Sequence, residues 1–551
     1  MPEIQNDALR AEDEHRSAVE NAYDYIENFD ILETITNVGN DEVFTPAKVC
    51  NEMLDSLPDE VWHNPNYKWL NPCTKNGIFE REIAIRLDKG LCEIIPDMEK
   101  RRKHILQNMI YAIGLTKFTS YVARRTLYYC SDATRKCDGI LADDKHYVNG
   151  YAIGNGSWFD TPEGNIKTPD AVHKFGKDGK CVHCGVRNDS KYVDPLQREQ
   201  YAYQFIHFNH PIELQYWLAD TFFNGDKNMK FDIIIGNPPY QLGTGGGSAQ
   251  ATPIYNCFVD NAKKLNPKYL SMITPSKWFA GGMGLDKFRA SMLNDTHIRK
   301  LVDYPNAKDC FPSASVGGGV SYFLWDREYS GECEVVNISN GKENRMIRKL
   351  NQYDVFVRYN EALEILKIVQ SKHEKSFMDV CSSLCPFGIG SDIRGEESPF
   401  PESLTLYSSK GVGYVKKDIV TTGFDYIDKH KIMISKTGAE HANEPASDGT
   451  FKILSVLKVL CPNEICTFSY FLAGPFKSEI ETNNAISYLK TRFARFLIMQ
   501  SVSSINLSKD KFRFLPMQDF SKPWTDKELY EKYGLDKQEI DFIESMIRPM
   551  E

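Results

Sequence analysis

The chain has 551 residues and a formal net charge of −9, with 42% hydrophobic and 26% charged residues. This length exceeds what one hydrophobic core serves, so we expect two or more domains, and the composition is typical of a globular chain. The negative charge excludes nucleic-acid binding by bulk charge alone, although a local basic cleft remains compatible with it.

The sequence predicts a cytoplasmic protein. No stretch approaches the roughly 18 uninterrupted apolar residues of a membrane helix, and the acidic N-terminal segment lacks the apolar core of a secretion signal. We therefore expect no membrane partner. In the cytoplasm the 14 cysteines are expected to be thiols or metal ligands rather than disulfides.

The pattern of elements divides the chain into three parts. Residues 1–40 have apolar positions at helical spacing and predict a helical N-terminal arm. From 41 to 350, strand-like and helix-like segments alternate, which indicates an α/β fold with a doubly wound sheet. Residues 351–551 change to mixed short strands and end in an amphipathic helix around 537–547, which predicts a separate mixed α+β domain.

Two loops near the start of the α/β region are candidate ligand contacts. Phe44, Thr45 and Pro46 precede a predicted helix from about Ala47, where Thr45 suits the N-cap and Pro46 the first helical position. A short strand at 68–70 leads into Asn-Pro-Cys-Thr-Lys-Asn-Gly (71–77), at the strand end where open parallel sheets bind ligands. Helix capping and an ordinary β–α turn would equally explain these two stretches.

A polar, glycine-containing segment at about 130–200 interrupts the alternation and predicts an insertion. It contains Gly-Lys-Cys-Val-His-Cys-Gly (179–185), a Cys-x2-Cys pair between glycines that favours a structural zinc ion. The preferred ligands are Cys130, His173, Cys181 and Cys184. Cys137 is the substitute for His173. Two reduced thiols in a loop are the alternative.

The stretch Phe-Asp-Ile-Ile-Ile-Gly-Asn-Pro-Pro-Tyr (231–240) ends a buried strand in a rigid turn. Pro238 and Pro239 fix two φ angles and remove two donors, which leaves the Asn237 side chain, the Pro238 carbonyl and the Tyr240 ring exposed. Two acceptors and a stacking ring form a receptor for a flat ring that bears an amino group. Gripping both N–H bonds favours a pyramidal nitrogen aimed at a methyl donor, so positioning supplies most of the catalysis.

The order of Phe-Thr-Pro (44–46), Asn-Pro-Cys-Thr-Lys-Asn-Gly (71–77) and Asn-Pro-Pro-Tyr (237–240), before a large C-terminal region, resembles a known family. It is similar to the adenine-specific (N6) DNA methyltransferases of restriction–modification systems with the gamma-type motif order, over about residues 40–330. The resemblance implies a Rossmann-like domain, S-adenosylmethionine as cofactor and a base-flipping reaction on double-stranded DNA. It also implies the catalytic group Asn237, Pro238, Pro239 and Tyr240, and these cofactor contacts: Phe44, Thr45, Pro46, Asn71, Pro72, Cys73, Gly77 and Phe79.

Two positions depart from that family pattern. The first loop begins with Asn71 where the family has Asp, which gives up charge assistance toward an ammonium group. The second strand runs into Gly114, Leu115 and Thr116 with no carboxylate for the ribose hydroxyls. Either another residue binds the ribose or the affinity for the cofactor is weak.

The C-terminal region is expected to recognise the DNA target, because flipping a base needs contacts that hold the duplex open. Its basic runs, which include Lys431 and Arg495, are suited to phosphate contact. We expect phosphate or groove contacts from four residues: Arg394, Lys436, Lys509 and Arg513. A solvated face is the alternative for any one of them.

Three other functions stay open from the sequence: an RNA-adenine methyltransferase, a protein-glutamine methyltransferase and a non-catalytic recognition subunit. The chain contains no Gly-x4-Gly-Lys phosphate loop and no nuclease pattern of carboxylates. A restriction endonuclease or helicase on another chain is therefore a candidate partner.

Overall fold

The computed structural model describes residues 43–129, 159, 161, 163–188, 201–242, 252–279, 284–312, 314, 316–339, 341–439, 446, 449–502 and 506–550. The predicted arm at 1–40 lies outside these residues. No helix in the described ranges is both long and apolar enough to cross a membrane.

The elements are numbered in chain order. The strands are β1 (Trp69–Thr74), β2 (Ile110–Gly114), β3 (Ile166–Lys167), β4 (Ile233–Gly236), β5 (Tyr269–Pro275), β6 (Ile298–Tyr304), β7 (Val320–Asp326), β8 (Cys333–Ser339), β9 (Lys342–Arg348), β10 (Leu404–Ser408), β11 (Gly411–Val415), β12 (His430–Ser435), β13 (Leu457–Leu460), β14 (Glu464–Cys466) and β15 (Tyr470–Phe476). The α-helices are α1 (Ala47–Asp55), α2 (Glu60–His63), α3 (Ile78–Gly90), α4 (Met98–Asn108), α5 (Lys117–Arg124), α6 (Pro211–Phe222), α7 (Tyr255–Lys264), α8 (Asp286–Leu293), α9 (Asn360–Gln370), α10 (Glu479–Lys490), α11 (Arg492–Met499), α12 (Asp526–Tyr533) and α13 (Lys537–Met546).

A mixed sheet with the order β3-β2-β1-β4-β5-β7-β6-β8-β9 organises the N-terminal part. The strands from β3 to β5 are parallel, whereas β7 runs antiparallel between β5 and β6. A strand that is covered on both faces of the sheet consists of consecutive apolar residues, as β4 does. The edge strand β9 exposes the charged residues Lys342, Glu343 and Arg345, which suits a sheet edge.

Side chains alternate between the two faces of this sheet. Ile233 and Ile235 face one core cluster with α1, α3 and α4, whereas Ile234 faces a second cluster with α6 and α7. This period of two places helices on both sides of the sheet. The predicted α/β doubly wound, Rossmann-like fold is therefore confirmed.

The predicted insertion is partly wrong. Residues 166–167 form β3, which pairs in parallel with β2 and so belongs to the central sheet. A two-residue strand is too short to show a sequence period, so the pattern could not reveal it. Within 130–200, the Cys-x2-Cys pair lies in the described segment 163–188.

The C-terminal part has its own core. Strands β12 and β15 pair in a small sheet, and Ile432 and Ile434 face a helical cluster while Met433 faces β10 and β14. The cluster includes residues from 355 to 547. A domain boundary near 350 stays a prediction, although the change of core falls close to it.

A buried ion pair joins the end of the sheet to the segment that leads into α9. Arg358 donates to both carboxylate oxygens of Asp303 in β6, at 2.6 and 2.8 Å, and Ser276 donates to the same carboxylate at 2.9 Å. The Asp303 side chain is fully buried. This ion pair holds the segment between β9 and α9 against the end of β6.

Candidate active site

Two candidate loops meet where the strand order reverses. Strand β1 lies between β2 and β4, and the chain builds the sheet outward from β1 in both directions. Crevices at such a switch point, beyond the carboxyl ends of parallel strands, are where open α/β sheets bind ligands. Strand β1 runs to Thr74, farther than the predicted strand at 68–70, so the first four residues of the predicted loop at 71–77 are its carboxyl end. The turn at 237–240 follows β4, so the topology brings the end of β1 and this turn to one crevice.

The ends of β1 and β4 approach each other closely at Gly236. A Cβ added at this residue would lie 2.5 Å from Asn71 Oδ1 and 3.4 Å from Cys73 Sγ. Only glycine leaves room for the Asn71 side chain to cross the end of β4. The glycine before the Asn-Pro-Pro-Tyr turn therefore sets the spacing between the two loops.

The Asn237 amide is held in one orientation. Its Nδ2 donates to the Val43 carbonyl and to Thr45 Oγ1, both at 3.1 Å. Its Oδ1 is buried and has no hydrogen-bond partner among the described residues. A buried acceptor without a partner is costly, so this oxygen is suited to a ligand that donates a hydrogen bond.

The role predicted for Thr45 as a helix N-cap is wrong. Helix α1 begins at Ala47, and Pro46 occupies the cap position without a side-chain hydrogen bond. The Thr45 hydroxyl instead accepts the hydrogen bond from Asn237. The Phe-Thr-Pro segment is thus tied to the turn after β4, and Phe44 and Thr45 are buried beside it.

The predicted exposure of the Asn-Pro-Pro-Tyr turn is also wrong. Asn237 is 3% exposed and Tyr240 is 8% exposed. Burial raises the pKa of the Tyr240 phenol well above its usual value, so the ring bears a neutral hydroxyl. Lys75 Nζ lies 6.0 Å from the Tyr240 ring centroid and donates to the Val43 carbonyl at 2.9 Å. One carbonyl therefore accepts from both candidate loops.

Asn71 holds the first loop together instead of presenting a free acceptor. Its Oδ1 accepts from the Cys73 backbone N–H at 3.1 Å, and its Nδ2 donates to Glu80 Oε1 at 2.9 Å. Glu80 is in the first turn of α3, nine residues after Asn71, and is 1% exposed. Glu80 was missed from the sequence, because helical spacing does not show that its side chain points toward the loop.

Replacing Glu80 with Gln should stabilise the protein at neutral pH. Burial raises the pKa of the Glu80 carboxyl, so wild type loses stability as the pH rises from the unfolded value of 4.5 through the folded pKa. Each unit of that shift corresponds to about 1.4 kcal/mol. Gln keeps an acceptor for Asn71 without the buried charge, so its advantage in unfolding free energy should vanish toward pH 4.

Denaturant unfolding of both proteins between pH 4 and pH 8 measures this difference. Glu80→Ala is the contrasting variant, since it leaves the Asn71 amide without its acceptor and should destabilise at every pH. A stability difference between wild type and Glu80→Gln that does not change with pH would contradict the assignment.

The rest of the first loop packs against helices. Pro72 and Cys73 are buried within β1, whose pairing with β2 shifts register between Asn71 and Thr74. Gly77 has φ +82°, and an added Cβ would lie 2.9 Å from Ala123 Cα, so this position needs glycine. It ends the loop and begins α3, in which Phe79 is buried.

Known proteins match this chain in sequence. Residues 108–311 match the family model described as Eco57I restriction-modification methylase. The chain is 44% identical over 354 residues to a Mycoplasma pneumoniae protein named "Uncharacterized adenine-specific methylase", across 60% of this chain and 80% of that relative. The chain belongs to the adenine-specific methylases of restriction–modification systems. The enzyme class predicted from the sequence is confirmed, and methylases of this family use S-adenosylmethionine generally.

Two solved structures are also similar to the methylase. They are a DrdV–DNA complex, with a TM-score of 0.42 and 11% identity, and MmeI in complex with DNA, with a TM-score of 0.41 and 10% identity. The alignments cover 87% and 86% of this chain, and 56% and 63% of the other chains. The methylase thus spans less than two thirds of the length of either enzyme.

The structure brings together part of the predicted metal site of the methylase. His173, Cys181, Cys184 and His207 have candidate ligand atoms that all lie within 4.8 Å of one another. Cys130 and its neighbour candidate Cys137 lie outside the described residues. His207 was missed because it lies 23 positions beyond Cys184 and no spacing rule pointed to it.

The four residues of the methylase that are predicted to contact DNA differ in whether their charged groups already have partners within the protein. Lys509 is exposed, Lys436 lies 3.8 Å from the Phe468 ring centroid, and Arg394 donates to carbonyls of its own loop. Arg513 forms ion pairs with Asp354 and Asp510. These four contacts stay predictions.

Two members of the basic runs cannot contact phosphate as they stand. Lys431 and Arg495 are both fully buried. Burial lowers the pKa of Lys431 to about 8, and its Nζ donates to the carbonyls of Lys429 and Cys461. Arg495 donates to the carbonyl of Lys490 at 3.1 Å. Both serve the C-terminal core, so the sequence prediction was wrong for them.

Proposed function

We propose that this methylase is a site-specific DNA adenine N6-methyltransferase, acting on a flipped-out adenine in a restriction–modification or phage-defence system. The single observation that carries the proposal is the Asn237 amide. Val43 and Thr45 fix its nitrogen, and its oxygen remains a buried acceptor without a partner in the described ranges. An adenine amine is the donor that such an acceptor suits.

The proposed chemistry rests on positioning. The N6 lone pair of adenine is delocalised into the ring, so the amine is a weak nucleophile. Asn237 Oδ1 and the Pro238 carbonyl each accept one N–H, which favours a pyramidal nitrogen with its lone pair free. Holding a reacting pair in line supplies roughly 7–11 kcal/mol. Pro238 and Pro239 keep the turn stiff because their φ angles are fixed.

The residues around the first loop fit S-adenosylmethionine. Thr74 Oγ1 is a second buried polar atom without a partner among the described residues, at the end of β1. Phe44, Thr45, Pro46 and the segment from Asn71 to Phe79 would enclose the cofactor. When bound, S-adenosylmethionine supplies an electrophilic methyl group. The first-loop backbone and the N-terminus of α3 would provide the remaining polar contacts.

Tyr240 would stack on the target base. The ring is 8% exposed, so a base enters only if side chains beside the ring move. Base flipping costs a few kcal/mol, and stacking on an aromatic ring returns about 1–3 kcal/mol. Residues 351–551, with Arg394, Lys436, Lys509 and Arg513, would hold the duplex and read its sequence.

A methylation map tests the proposal. The chain is expressed in a host without DNA methylation, and single-molecule sequencing should find N6-methyladenine within one recurring sequence. In vitro, labelled S-adenosylmethionine should transfer its methyl group to duplex DNA in preference to RNA or protein. Label found only in RNA or in glutamine side chains would overturn the DNA assignment. Calorimetry that detects no cofactor binding would instead indicate a non-catalytic recognition subunit.

DNA cleavage and metal binding lie outside the proposed methyl transfer. A restriction endonuclease or helicase subunit would be a separate chain, detectable by co-purification from the native host. The cluster of His173, Cys181, Cys184 and His207 would hold a structural metal only, since the proposed transfer needs no metal. A cytoplasmic location follows from the same proposal.

A further inference from the structure

We propose that one Zn²⁺ binds His173, Cys181, Cys184 and His207. Among the described residues these four side chains form a closed set of nitrogen and sulfur donors, with ligand atoms within 4.8 Å of one another. Cys181 and Cys184 are each 3% exposed and His207 is 7% exposed. Four protein ligands without an open position are the mark of a structural zinc site.

The backbone around the cysteine pair forms a tight metal-binding turn. The Gly185 N–H donates to the Cys181 carbonyl at 2.9 Å, and the Cys181 N–H donates to the Val186 carbonyl at 2.7 Å. Gly185 has φ +79°, which glycine adopts without strain. The turn brings both sulfur atoms to one side of the segment.

The distance between His173 and Cys184 agrees with a shared metal. His173 Nδ1 lies 3.5 Å from Cys184 Sγ. Zinc bonds of about 2.3 Å to sulfur and 2.0 Å to nitrogen, at tetrahedral angles, place two such ligands about 3.5 Å apart. A metal at the centre would therefore need no movement of this pair.

His207 provides the strongest evidence, because a hydrogen bond at Nδ1 determines that its other nitrogen, Nε2, carries a free lone pair. His207 Nδ1 lies 2.9 Å from the Val172 carbonyl, which only accepts, so Nδ1 carries the proton. His207 Nε2 is then an acceptor, and it is buried without a hydrogen-bond partner in the described part of the chain. Histidine ligands typically bind a metal with one nitrogen and donate to a carbonyl with the other.

The donor set selects zinc. Two thiolates and two neutral imidazoles cancel the charge of a divalent ion, which suits a buried site. Tetrahedral sulfur and nitrogen ligands indicate zinc, whereas calcium and magnesium require oxygen donors. The imidazoles of His173 and His207 have ring centroids 4.9 Å apart, so both rings can reach one ion.

The metal would support the segment that follows the candidate base-binding turn. A Cβ added at Gly185 would lie 3.1 Å from Leu242 Cδ1, so the metal-binding turn packs against the residue two positions after Tyr240. Zinc would also join this turn to the segment Tyr201–Ile206 through His207. The effect on the base-binding turn rests on the proposed function, whereas metal binding itself does not.

Metal content tests the site. The purified full chain should contain one zinc per molecule by mass spectrometry, and His207→Ala and Cys184→Ser should each retain at least tenfold less zinc against a chelator. His183→Ala is the matched control: its ring stacks 5.5 Å from His207, but it lies outside the ligand set, so zinc should stay. Chelation should lower the thermal midpoint of wild type and His183→Ala.

Cobalt substitution keeps the test independent of how the variants fold. Wild-type chain loaded with Co²⁺ should show the absorption bands of a tetrahedral site with thiolate ligands. Absence of metal from protein made in zinc-supplemented medium, or an oxidised Cys181–Cys184 pair, would overturn the proposal. Equal loss of zinc in His183→Ala and His207→Ala would also overturn it. Zinc without methyl transfer would count against the proposed function alone.

Discussion

Replacing Asn237 with alanine should reduce the rate constant of methyl transfer by about 10²- to 10³-fold, the usual cost of removing one preorganised group at a reacting centre. The variant loses the buried Oδ1 acceptor and both hydrogen bonds that orient it. Single-turnover transfer of labelled methyl to duplex DNA measures the rate. Calorimetry with S-adenosylmethionine should show that cofactor binding changes much less.

Thr45→Val is the matched control for that experiment. It removes one of the two acceptors that hold Asn237 Nδ2 and leaves the Val43 carbonyl and the Asn237 oxygen in place. Its rate should fall by about tenfold, the equivalent of one hydrogen bond of roughly 1.4 kcal/mol. A rate for Asn237→Ala within a few fold of wild type would remove the basis of the proposed mechanism.

Replacing Arg358 with methionine should destabilise the protein by about 3–5 kcal/mol, because it leaves the Asp303 carboxylate buried without its partner. Asp303 is fully buried, and Arg358 is its bidentate partner beside the Ser276 hydroxyl. Chemical denaturation followed by tryptophan fluorescence measures the loss.

Two further variants test whether the unpaired Asp303 carboxylate causes the loss of stability in Arg358→Met. Arg345→Met breaks an ion pair whose arginine is 49% exposed, with Glu343 and Glu334, and should cost at most about 1 kcal/mol. Asp303→Asn combined with Arg358→Met should recover much of the loss, because no charge then stays buried alone. A loss for Arg358→Met no larger than that for Arg345→Met would refute the role of the pair.

The sequence predicted the sheet and its two motif-bearing ends well. Strands such as β4 and β7 are continuous apolar runs, which a sheet covered on both faces requires. Their order along the chain then places the residues after β1 and β4 at the same edge. The two-residue strand β3 was missed because it is too short to show a period.

Side-chain partners were predicted less well, because they depend on which segments fold together. Thr45 reads as a helix cap in sequence, yet its hydroxyl accepts from Asn237, 192 residues away. Glu80 was given no role from the sequence, yet its carboxylate accepts from Asn71. Lys431 reads as part of a basic surface, yet three carbonyls hold it inside the C-terminal core.

The Val43 carbonyl accepts from Lys75 and from Asn237, so one oxygen fastens the turns beyond both strands. If Lys75 changes alone, Asn237 still donates to the Val43 carbonyl, and if Thr45 changes alone, both donors to that carbonyl remain. Position 237 has no such substitute, since its buried Oδ1 is the acceptor proposed for the target base. Over evolutionary time we therefore expect the neighbours of Asn237 to vary one at a time around a residue that does not.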